Sequence, residues 1–128
     1  MKNQDILDNF GRKLISQILD RYYMWTPKEI DDGITNPTRA HFNAIFKQLD
    51  TESKQELKNY ILEGLNSIMF DMLCFFEENE EFKLIYESGN KQVDLVKISE
   101  NLKAELIIEG GWIDRFSEYR DKIDEPPN

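Results

Sequence analysis

Apolar residues recur every three or four positions through two long segments of the chain, and then that period breaks. Leu7, Phe10, Leu14, Ile18, Tyr22 and Trp25 form the first series, widened by Ile15 and Leu19. Leu57, Ile61, Leu65, Ile68, Met72 and Phe75 form the second. One face of an α-helix repeats about every 3.6 residues, so each series predicts a helix with an inward stripe. From Ile68 to Phe76 almost every residue is apolar, Asp71 being the exception. That segment is expected to be the central helix, with Ile68, Met72 and Phe75 almost fully buried. After Glu81 the period becomes two. Phe82, Leu84 and Tyr86 alternate with Lys83 and Glu87, Gly89-Asn90 marks a turn, and Val93 to Ile98 reads as a second strand. The hairpin over 82–98 must pack on the helices, because an isolated hairpin is marginal in water.

Punctuation residues set the expected boundaries. The first helix runs from about Asn3 to Trp25 and is stopped by Pro27. Asn36 reads as an N-cap and Pro37 as the first position of a second helix, with Phe42, Ile45, Phe46 and Leu49 inward. Ser53 and Glu56 have the spacing of a capping box and open the third. Ser99 caps a fourth helix carrying Leu102, Leu106 and Ile107, which Gly110-Gly111 ends. Trp112, Phe116 and Tyr119 share one face of a short last helix. The expected fold is α+β and mainly α: three N-terminal helices, one antiparallel β-hairpin and two short C-terminal helices. Residues 1–123 read as a single globular domain, and Asp124-Glu125-Pro126-Pro127-Asn128 as a disordered tail.

Charge narrows the partners. The 128 residues carry a net charge of −9, and the imbalance is local. Residues 1–64 hold 10 acidic and 9 basic side chains, whereas residues 65–128 hold 15 and 7. Such a field repels phosphate backbones and anionic lipid heads, so neither nucleic acid nor a membrane is expected as partner. A basic protein is the better fit. Cys74 is the only cysteine, no apolar signal core follows Met1-Lys2-Asn3-Gln4-Asp5, and no apolar run approaches the roughly 20 residues of a membrane span. A cytoplasmic protein is therefore expected.

No catalytic, cofactor-binding or metal-ligating constellation stands out. His41 is the only histidine and cannot form a histidine-rich zinc site. Cys74 lies among Met72, Leu73, Phe75 and Phe76 and reads as an inert core residue. Asp71 continues a four-residue series from Asn59, Glu63 and Ser67, which reads as one solvated stripe. Asp31-Asp32-Gly33 lacks the remaining oxygen ligands of a calcium loop. The stretch Glu77, Glu78, Glu80 and Glu81 is the outlier. It falls where the central helix should end, and negative charge there opposes the helix dipole by about 0.3–1 kcal/mol per well-placed group. Two readings are open: a solvated loop whose charge is screened, and an acidic patch that receives Lys or Arg from a basic partner. Tyr23, off the stripe of the first helix, and Trp112 are the aromatic candidates for the same contact.

The segment Gly111-Trp112-Ile113-Asp114-Arg115-Phe116-Ser117 resembles the ending of a set of small, acidic, uncharacterised bacterial proteins. In size and charge the whole chain resembles immunity-type proteins that block a toxin domain. The expected function is a non-enzymatic protein-interaction domain of the inhibitor or immunity type that occludes a basic partner. The alternative is a ligand-binding domain or enzyme with a pocket between the hairpin and the helices.

Overall fold

The first apolar series does form a helix, but not one of uniform pitch. In a computed structural model, which describes residues 1–122, α1 (Asn3–Leu14) passes through a π-helical turn at Ile15–Leu19 and continues as α2 (Asp20–Asp32). The Asp20 amide donates to the Ile15 carbonyl, five residues back. A π turn admits one extra residue and so rotates α2 against α1. Leu7 and Leu14 are buried as the stripe predicts, but beyond the turn the inward face passes to Leu19, Tyr23 and Ile30. Ile18, Tyr22 and Trp25 are exposed.

Pro27 lies inside α2 and does not end it. An interior proline costs about 3 kcal/mol. Burial of Ile30 and Ile34 just beyond it contributes about 1.5–3 kcal/mol for each side chain and offsets that cost. The second expected helix is much reduced. Asn36 accepts from the Thr38 amide at 3.0 Å in a turn of its own, a 3₁₀ turn comes next at Ala40–Phe42, and α3 is only Asn43–Phe46. A helix this short has one inward position to offer. Phe46 takes it in part, and Phe42 and Ile45, expected inward, stay exposed.

The long helix α4 spans Thr51–Glu78. Asp50, not a Ser53–Glu56 box, caps it, accepting from the Ser53 amide at 2.7 Å. That bond holds the Asp50 carboxyl below its usual range. The inward face of α4 is Lys58, Leu62, Met69 and Leu73. Ile68, Met72 and Phe75, expected to be nearly buried, are 65%, 45% and 44% exposed. The physical reason is that α4 carries two apolar stripes. Only the one meeting α2 and α6 is covered, and periodicity cannot say which stripe that is.

The hairpin is present and shorter than expected. Strands β1 (Ile85–Ser88) and β2 (Lys91–Asp94) pair antiparallel, with Ile85 opposite Asp94 and Ser88 opposite Lys91. Asp94 then accepts from the Val96 amide at 3.1 Å and caps α5 (Leu95–Ile98), so these residues, β-branched Val96 and Ile98 among them, form a helical turn instead of extending the strand. Two more short helices, α6 (Leu102–Ile107) and α7 (Trp112–Phe116), complete the C-terminal part, with a 3₁₀ turn at Arg120–Lys122. The protein is thus α+β and mainly helical, with one helix more than expected after the hairpin and a first helix divided by its π turn.

Trp112, Leu106, Leu102, Leu95, Leu73, Leu19, Ile15 and Ile6 form the centre of the core. Gly11 lets α7 seat on α1, since a Cβ there would stand 2.4 Å from the Trp112 ring. Buried Asp20 accepts from the Ser117 hydroxyl at 2.6 Å and from the Glu118 amide at 2.9 Å, tying the C-terminal segment to the π turn. The end of the expected domain at residue 123 and the expected tail, 124–128, lie outside the described residues.

Candidate functional site

Two ties align α2 with α4 as an antiparallel pair. The buried Lys58 ammonium donates to Asp31 Oδ2 at 2.7 Å. One helical stretch further along, the Tyr23 hydroxyl donates to Asn66 Oδ1. Tyr23 is therefore an internal residue, 3% exposed, because the π turn swings it inward. Burial pushes its hydroxyl above the usual tyrosine range. Trp112 is fully buried as well, edge-on to Phe10 at 5.6 Å between ring centroids. Neither expected aromatic anchor reaches the surface. The exposed aromatics of the first helix are Tyr22 and Trp25.

The acidic stretch divides in two. Glu77 accepts from the Lys103 amide at 2.7 Å and from its ammonium at 2.9 Å. It thereby caps the start of α6 from outside, and its hydrogen bond raises the Lys103 ammonium's affinity for its proton. Glu78, Glu80 and Glu81 are exposed. Cys74, expected in the core, is half-buried at the edge of this group, and desolvation leads the causes that push its thiol up. His41 is exposed beside Phe42, and Asp71 lies on an exposed stripe with Asn59, Glu63 and Ser67.

The most developed surface feature lies elsewhere. An open cleft of about 1120 Å³ runs between α2, residues 33–46 and α4, with Tyr22, Trp25, Phe42, Leu57, Ile61 and Leu65 among its walls. The Asn43 side chain shapes one wall by bonding the Ile34 amide at 2.8 Å and carbonyl at 2.9 Å, as a neighbouring strand would. Charged groups on the cleft are Arg21, Lys28 and Arg39 against Glu29 and Asp32. Arg39 is paired with Glu29 at 2.8 Å, and the Lys28 ammonium stands 5.5 Å from the Trp25 ring. Beyond the cleft the apolar surface continues along α4 through Ile68, Met72 and Phe75 to Phe82, whose ring lies 5.6 Å from that of Phe75. An apolar belt thus runs along α4, half-buried at Leu57, Ile61 and Leu65 on the cleft and exposed at Ile68, Met72 and Phe75, with mixed charges near its start and Asp71, Glu78, Glu80 and Glu81 near its finish.

Sequence reasoning missed this belt because it assigned Ile68, Met72 and Phe75 to the core. One signal was available. Lys58, Leu62, Met69 and Leu73 form a second series one position away from the first, the two meeting at Leu65. A helix with two such series has a stripe to spare. Among the described residues, no group of three or more His, Cys, Asp and Glu lies where it could hold a metal ion, and no helix is long and apolar enough to cross a membrane. No known protein family, curated protein or solved structure matches the chain.

Proposed function

We propose that the protein is a non-enzymatic protein-interaction domain of the cytoplasm, and that it binds its partner through the outer face of α4 together with Tyr22 and Trp25 of α2. The observation that carries this reading is the apolar belt exposed from Ile68 to Phe82 and continued into the open cleft by half-buried Leu57 and Ile61. Monomeric proteins seldom leave a continuous apolar strip of this length in water, and such strips mark interaction sites. Its aromatic residues are the types that anchor interfaces. The exposed carboxylates of Asp71, Glu78, Glu80 and Glu81 at the finish of the belt suit a basic segment on the partner and would speed encounter. Inhibition of the immunity type, which the size and charge of the chain resemble, is one use of such a surface. The ligand-binding alternative would use the cleft between α2 and α4.

The test is a photo-reactive residue placed at Ile68 and, as control, at exposed Glu100, each in the full chain within the producing cell. A protein adduct from position 68 and none from position 100 supports the interaction reading. Equal adduct patterns from both positions, or none from either, overturn it.

A further inference from the structure

We infer that the partner on this belt is a second copy of the chain, bound through α4 in an antiparallel pair. This rests on the interaction reading above and names its partner. The outer stripe of α4 is Leu57, Ile61, Gly64, Ile68, Met72 and Phe75. These positions advance in steps of four and three, the a/d spacing of a helix–helix seam. Gly64 is the informative member. It lies inside a 28-residue helix, where glycine costs about 1 kcal/mol against alanine. No described residue asks for it, because a Cβ there meets none of their atoms within 4 Å. A gap in the middle of an exposed apolar seam is what a large side chain from a facing helix would fill.

The seam is self-complementary. A two-fold interface needs residue i to meet j while j meets i. Let two α4 helices run antiparallel with the axis midway between Gly64 and Ile68. Ile68 of each copy then faces the Gly64 gap of the other, and Leu57 faces Phe75. The same register sets Lys54, near the start of the helix, opposite Glu78, near its end. The cleft charges, Arg21, Lys28 and Arg39 against Glu29 and Asp32, nearly cancel, so the apolar seam and the Lys54–Glu78 pair set the register. The seam from Leu57 to Phe75 is about 27 Å long at helical rise. With α2 alongside it is roughly 20 Å wide, so the pair would cover about 1,000 Å² in total, the lower size of a specific interface.

Sedimentation of the full chain decides the matter. The expected result is a particle of twice the 15.2 kDa chain mass at tens of micromolar, dissociating on dilution. Gly64→Arg should weaken association at least 100-fold while the helical circular dichroism is kept, since arginine favours helix and has open space within its own chain. Ile68→Asp should do the same. Lys54→Glu and Glu78→Lys should each weaken association about tenfold, and the double variant should restore it. A single-chain mass at every concentration overturns the second copy, and so does a dimer that ignores both Gly64→Arg and Ile68→Asp. The cross-link from position 68 then separates the two levels. An adduct to a different protein keeps the interaction reading and removes this one, whereas no adduct removes both.

Discussion

Lys58 and Asp31, 27 residues apart in sequence, meet at 2.7 Å where α4 begins its contact with α2. The lysine is 2% exposed and its partner 18%. Removing one member of a buried pair strands the other charge, at about 3–5 kcal/mol, whereas replacing both by apolar groups is often neutral. Asp31→Ala is therefore expected to lower stability by about 3 kcal/mol or more, and Lys58→Met with Asp31→Leu to recover most of it. Urea melts of the three proteins check this. A single variant as stable as the parent would place the Lys58 ammonium in water.

Gly11 and Trp112 give a second prediction. Gly11→Ala sets a methyl group against the Trp112 ring, and overpacking of this kind costs about 1–3 kcal/mol. Thermal melts monitored by tryptophan fluorescence should show a lower midpoint and a changed native emission.

The two stripes of α4 are separable by truncation. Leu73→Ala should cost about 2–5 kcal/mol, and Ile68→Ala less than about 1 kcal/mol in dilute samples, because only Leu73 is in the core. Comparable losses from both would mean that the stripes had been assigned to the wrong faces.

Asp8 accepts from Arg115 at 2.9 Å, and that hydrogen bond, first among the causes, holds its carboxyl below the usual range. A lowered native value means stability that is present above the unfolded value of about 3.9 and lost as pH falls through the native one. Both groups are partly exposed, so the contribution at neutral pH is under about 1 kcal/mol. Asp8→Asn should be slightly less stable than the parent at pH 7, and the two should converge in acid. Paired denaturant melts at the two pH values read the difference directly.

Asp20 supplies the last. Asp20→Ala removes both bonds to Ser117 and Glu118. It should cost about 1–3 kcal/mol and speed amide exchange at residue 118 ahead of the rest of the chain.

Much of this architecture was legible in the sequence, and the failures have physical causes. The break in period at Glu81 located the hairpin, but not its end, since Asp94 reads equally as a strand residue and as a helix cap. Pro27 pointed to a stop that the burial of Ile30 and Ile34 overrides. Glu77 looked misplaced because its role is to cap a helix that begins far along the chain, at Leu102. Tyr22, Trp25, Ile68 and Phe75 were identified as apolar face residues, yet which face meets the core is a tertiary fact. It depends on what α1, α6 and α7 cover, and no local pattern states that.

The π turn at Ile15–Leu19 has a consequence for how the chain tolerates change in length. Deleting one residue from it removes the extra residue that the turn holds and leaves one regular helix in which Leu19, Tyr23 and Ile30 keep the inward face. Winding the same residues as regular α-helix without a deletion would instead move the inward face by one position. Tyr22 and Tyr23 would then exchange places almost unnoticed, being the same residue twice. Their neighbours would not: Leu19 would move toward water and Ile18 toward the core. The chain can thus lose one residue here, whereas the pitch of the turn decides which aromatic surface the protein offers.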